Sequence, residues 1–202
     1  MSSSVSVAAK RNTLPRDLAL VVVFAAVVAA LSLTPAIPVG GAGVPITLQT
    51  LGIAITGLLL GGWRGFTAVA LYVVLGLAGL PIFANYSSGF GVLAGGSAGY
   101  LLAFPVAALV SGSLATLVLR KARKLQALWL FCCAFASSIL IVHPAGIVGM
   151  KLNVPFDSWG AAFAADLPFW PGDVIKCALA ALIAAGVFKA FPALAARRTG
   201  DL

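Results

Sequence analysis

The stretch 168-PFWPGDVIKCALAALIAAGVFKAF-191 decides how the whole chain is read. From Val174 to Phe191 it is apolar except for Lys176 and Lys189, close to the ~20 apolar residues that cross a bilayer as a helix. Pro171 near its start suits a first helical turn, where a missing N–H costs nothing. Asp173 and Lys176 then stand three residues apart at the mouth of that helix, on one face and close enough to interact. Charges at membrane depth are rare and face the protein interior or a water-filled cavity. The question for the rest of the sequence is which of these the pair does.

Working outward, the same pattern recurs. The chain of 202 residues is 61% hydrophobic and 9% charged, where soluble domains carry about a quarter charged residues. Apolar segments cover residues 17–33, 47–61, 65–80, 98–119, 125–148 and 172–191. This predicts an all-α, polytopic membrane protein with six transmembrane helices. The expected organisation is one domain over 17–192, between an N-terminal tail (1–16) and a C-terminal tail (193–202). The first segment is longer than the ~7–15 residues of a signal-peptide core, so it reads as a retained helix.

The net charge of +8 reports topology here, and no nucleic-acid partner is expected. Lys10, Arg11, Arg16, Arg64, Arg120, Lys121, Arg123, Lys124, Lys189, Arg197 and Arg198 all fall on one side of a six-span arrangement. Only Lys151 and Lys176 fall on the other, with Asp157, Asp166 and Asp173. The positive-inside rule then puts both termini in the cytoplasm. The two long connections 34–46 and 81–97 carry no charge and are rich in Gly, Pro and apolar residues. They are expected to pack over the outer end of the bundle, as a lid or as simple interfacial packing.

The polar candidates lie at that outer end. Asp173 and Lys176 either neutralise each other or receive a ligand, the acid accepting N–H groups and the base donating to a carbonyl or carboxylate. Asn85 and Tyr86 after the third segment, Gln49 at the start of the second and Tyr100 at the start of the fourth complete a candidate pocket. Each taken alone also fits headgroup anchoring. His143, the single histidine, reads as a lone buried side chain or, more sharply, as a proton-carrying or catalytic group. Asp157 and Asp166 read as loop surface. Cys132, Cys133 and Cys177 read as small buried apolar side chains, with neither a zinc nor a disulfide pattern. No nucleophile motif, metal set or phosphate loop is present, so no catalytic residue, metal or cofactor is expected. On the first helix, Ala25 with Ala29 and Ala26 with Ala30 have the small-residue spacing that lets helices approach closely in lipid, as a docking strip for another subunit.

The blocks VPITLQTL (44–51), LYVVLGLAGLPIFA (71–84) and PFWPGDVIK (168–176), in this order, resemble the BioY family of biotin transporters over residues 18–190. These are the substrate-binding S components of energy-coupling-factor vitamin uptake systems. The resemblance implies biotin bound near the outer surface by Asp173 and Lys176, with Asn85 at a matching polar position. It implies docking of the alanine strip on a transmembrane coupling subunit, and ATP used only by partner ATPase subunits. It also implies a multi-pass protein of the bacterial cytoplasmic (inner) membrane, working in the bilayer. A homo-oligomer is allowed and not specified. Other vitamins on the same fold, or an intramembrane enzyme built on His143 and Asp173, are the alternatives. One departure is GGSAGYL (95–101), where family members often have GPTGGYL.

Overall fold

The structure, a computed structural model, describes residues 14–39, 43–121 and 124–199. Lys10, Arg11 and Arg123 lie outside these, as does most of the tail 1–16, although the first helix already begins at Leu14.

The chain is helical almost throughout. Helix α1 (Leu14–Ser32) leads into two short antiparallel strands, β1 (Ile37–Pro38) and β2 (Pro45–Ile46), which pair Ile37 with Ile46. This two-residue ladder is a departure from a purely helical reading. Helices α2 (Gln49–Leu60) and α3 (Gly62–Leu77) follow, joined at Gly61. Short 3₁₀ turns occupy the 81–97 connection before α4 (Ala98–Lys121). Next come α5 (Gln126–Ser137), a π-helical stretch over Ser138–Val142, and α6 (His143–Asn153), one continuous rod with a widened middle. Then come a short α7 (Trp159–Asp166), the long α8 (Phe169–Ala190) and α9 (Pro192–Thr199).

Among the described residues, four helices are long and apolar enough to cross a membrane: α1, α4, the rod Gln126–Asn153 and α8. Helices α2 and α3 are apolar but shorter, at 12 and 16 residues. The outer faces of α3 and α8 leave Val74, Ile175, Leu179, Leu182 and Ile183 exposed, as lipid-facing positions should be, while α2 has no exposed residue.

Helix α4 is the hub, packed against α2, α3, α5, α6 and α9, while α8 packs on α2 and α5. Close approach rests on small residues. A Cβ on Gly112 of α4 would stand 2.6 Å from the Gly57 carbonyl oxygen of α2. On α8, Cys177, Ala180, Ala181 and Ala184 are buried against Leu58, Leu130 and Cys133, the lower core. The upper core joins Val28, Ile53, Tyr72, Phe104 and Met150 beneath the two uncharged connections. Cys132, expected inside, is exposed.

Two sequence-level boundaries shift. Residues read as a C-terminal tail form α9 and fold back on the bundle. Arg198 donates to the Leu58 carbonyl, at the end of α2, and to Gly112 O (2.8 Å) and Thr116 Oγ1 (2.7 Å) on α4. The last carbonyls of a helix lack intrahelical partners, so this guanidinium caps α2. Burial, with Arg64 nearby, pushes the guanidinium down to about 10. The second shift is in the α5–α6 rod. Pro144 has no N–H to donate, and the ladder re-forms around it with the His143 N–H on Ser138 O. The resulting π-bulge is a common way to aim side chains at a site.

Candidate functional site

The π-bulge turns Ser138 and His143 toward the first turns of α8, and the site is built where they meet. Asp173 is held from three helices. Its Oδ1 accepts from Thr50 Oγ1 (2.9 Å, α2) and Lys176 Nζ (2.8 Å, α8), and its Oδ2 from Ser138 Oγ (2.8 Å). Lys176 Nζ also donates to Thr50 Oγ1 at 3.0 Å. Thr50 thus accepts a hydrogen bond from the lysine and donates one to the aspartate. Lys176 is only 8% exposed, so this is an interior ion pair and not a snorkelling side chain.

Asp166 overturns the reading of it as loop surface, since it is fully buried. It ends α7 and accepts from Tyr100 OH (2.5 Å), Trp170 Nε1 (2.7 Å) and His143 Nδ1 (2.8 Å to Oδ2). Three donors from three helices answer the cost of burying a carboxylate. His143 is 2% exposed and links the two acids, its Nε2 lying 3.5 Å from Asp173 Oδ2. Its ring leans on Trp170, with centroids 5.4 Å apart. The histidine is therefore buried, but not alone.

A cavity of about 210 Å³ opens above this cluster. Its floor is Asp173, Lys176, Thr50 and His143, and its walls include Phe83, Val92, Tyr100, Phe104 and Phe169. Residues 43–46 of one uncharged connection, with Thr47, and Phe83, Ala84, Asn85 and Ser87 of the other line it. Parts of both connections therefore line the pocket.

Of the residues singled out from sequence, Asp173, Lys176, Gln49, Asn85 and Tyr100 all line the cavity. Tyr86 does not, and its side chain is 68% exposed. Asn85 and Tyr86 both adopt left-handed backbone (φ 55° and 57°) in the tight turn, which sends their side chains apart. Asn tolerates this geometry far better than Tyr. Gln49 donates to Tyr72 OH (2.7 Å), which donates to Ser32 Oγ (3.0 Å), so its amide is tied into a buried network across α1, α2 and α3. Tyr100 spends its hydroxyl proton on Asp166 and offers the cavity its ring. Thr50 and Ser138 were not singled out as site residues in the sequence, and Asp166 was placed on the loop surface. The only available signal was polar residues inside apolar segments, and for Asp166 its place four residues before Trp170.

The alanine strip on α1 divides. Ala25 is buried in the upper core and Ala29 packs beside it, which removes this pair as a docking surface. Ala26 and Ala30 face outward.

The site can hold a small, mostly apolar molecule against one paired lysine, under two connections. The comparisons with known proteins agree in kind. The family model of the BioY family matches residues 2–193. The biotin transporter BioY of Rhodobacter capsulatus is 38% identical over 193 residues, covering 90% of this chain and 98% of that one. That of Rhizobium etli is 35% identical, with 90% and 98% covered. A crystal structure of the S-component for biotin from an ECF-type ABC transporter superposes with a TM-score of 0.80 at 26% identity, over 90% of this chain and 95% of that one. Sequence and fold thus agree over nearly the full length, and the chain belongs to the BioY family.

Proposed function

We propose that this chain captures biotin at the outer face of a bacterial cytoplasmic membrane and serves as the substrate-binding subunit of an energy-coupling-factor transporter. The observation that carries the reading is the floor of the cavity. A lysine ammonium has three donors, and Lys176 spends two, on Asp173 and Thr50. One N–H remains for an acceptor on the ligand. Asp173 already accepts from Thr50, Lys176 and Ser138, so its main work is to aim Lys176. Biotin has a carboxylate, a ureido carbonyl and an apolar bicycle, which suit one such donor inside aromatic walls. Asn85 at the rim supplies an amide that both donates and accepts.

The working arrangement is a single domain over 17–192 with six spans and both termini inside, the short α2 and α3 crossing as a pair. The split of basic residues supports it. Biotin enters beneath the connections 34–46 and 81–97, which close over it. The loaded subunit then reorients, driven by ATPase subunits through a transmembrane coupling subunit that meets Ala26 and Ala30. ATP is used only there, since this chain carries no Walker motif. The test is a calorimetric biotin titration of the purified protein and its Asp173→Ala variant. Wild type should bind and the variant should bind at least a hundredfold more weakly. A wild type that ignores biotin would sink the reading, and equal affinities would remove Asp173 from the site.

A further inference from the structure

We propose that His143 carries a proton on each ring nitrogen and acts as a positioning residue of the substrate site, clamping Asp166 to Asp173. Nδ1 lies 2.9 and 2.8 Å from the two oxygens of Asp166. Those oxygens also accept from the Tyr100 hydroxyl and the Trp170 indole, so Asp166 is an acceptor and Nδ1 is the donor. On the far side of the ring, Nε2 is fully buried and has no hydrogen-bond partner. What it faces is Asp173 Oδ2, at 3.5 Å. That oxygen also accepts, from Ser138, so a bare Nε2 would set a lone pair against a carboxylate with no water between them. A proton on Nε2 turns the contact into an attraction that shortens readily.

The charge count points the same way. The groups facing or one bond behind the ring are Asp166, Asp173 and Lys176, with the Tyr100 hydroxyl. Two carboxylates and one ammonium leave a buried excess of one negative charge. The second imidazole proton cancels it, and an uncompensated charge on buried side chains is costly. The clamp matters for binding because Asp173 aims Lys176, and Asp166 fixes the ring of Tyr100 in the cavity wall. Losing the proton would loosen Asp173 and leave the floor negative, which disfavours an anionic ligand.

The inference rests on the biotin reading for its ligand but not for its proton. His143 is the single histidine, so ¹⁵N-histidine labelling of the full chain, purified without a histidine tag, reads it alone. At pH 7 both ring nitrogens should show the protonated signature. One protonated and one bare nitrogen would overturn the proposal, whatever the ligand. The second measurement is biotin affinity against pH. Wild-type affinity should fall as pH rises through loss of this proton, by up to about tenfold per unit. His143→Gln, which keeps an amide donor but does not titrate, should bind with a flat profile, and His143→Ala should bind weakly at every pH. Matching profiles for wild type and His143→Gln would overturn the clamp. Should the variants misfold, the labelling result and the wild-type profile still decide. Failure of wild type to bind biotin at any pH would reject the ligand and leave the proton measurement standing.

Discussion

At the residue scale, Asp173 and Lys176 are best tested as a unit. Their bond is 2.8 Å and both are buried, so removing either leaves the other unpaired inside the bundle. Truncating one partner of such a pair costs about 2–5 kcal/mol. We expect Asp173→Asn and Lys176→Met each to weaken biotin binding by at least a hundredfold. The double variant should be no worse than the poorer single, because the two losses share one cause. A strictly additive double variant, measured by the same titration, would show that each residue meets the ligand on its own. Tyr100→Phe asks a narrower question. It removes one of three donors to Asp166 and leaves the ring, so it should lower thermal stability by about 1–3 kcal/mol. The sequence showed that Asp173 and Lys176 share a face, because that follows from helical spacing alone. It did not show Thr50, Ser138 or Asp166 beside them. Those arrive from α2, from the π-bulge and from the end of α7, through packing that no local spacing encodes.

At the element scale, the site depends on how closely helices approach. Gly146 of α6 gives way to the ring of Tyr100, since a Cβ there would stand 2.1 Å from ring carbons Cε1 and Cζ. Gly146→Ala must push Tyr100 away from Asp166, and overpacking of this kind costs about 1–3 kcal/mol. Both melting temperature and biotin affinity should fall. Gly186 of α8 meets nothing within 4 Å, so Gly186→Ala is the matched control and should change neither. Equal behaviour of the two variants would refute the packing role. Helix α9 gives a second case. Arg198→Ala leaves the Leu58 carbonyl without its cap, so α9 should detach and trypsin should cut after Lys189 faster than in wild type. Apolar content made the long helices legible in sequence. The π-bulge was foreshadowed only by Pro144, and α9 was hidden because Arg198 reaches 82 to 140 residues back along the chain and Leu194 and Ala195 pack on a core built from distant helices. The small-residue strip seen on α1 was real as a pattern, but Ala25 and Ala29 use it for internal packing, as Ala180 and Ala184 do on α8.

At the scale of the whole molecule, charge and pocket give one consistent polarity. The cavity, its two uncharged connections and the acids of α7 and α8 gather at one end. Described basic residues Arg16, Arg64, Arg120, Lys121, Lys124 and Lys189 lie at helix ends on the other, where Arg64 meets Asp17 at 3.0 Å. An exposed pair of this kind adds little stability, so its basic surroundings matter for orientation and not for folding. If the basic end is cytoplasmic, the pocket must open outward, and a binding subunit that scavenges its ligand needs that orientation. The argument can be tested without any ligand. Cys132, Cys133 and Cys177 are replaced, and single cysteines are placed at Tyr86 beside the pocket and at Lys124 on the basic end. A membrane-impermeant thiol reagent added to intact cells should label the cysteine at 86 and spare the one at 124, with the pattern equalising once the membrane is opened. Labelling of 124 in intact cells would reverse the molecule. It would also leave the pocket facing a compartment where capture from outside is impossible, so the topology and the transport reading stand or fall together.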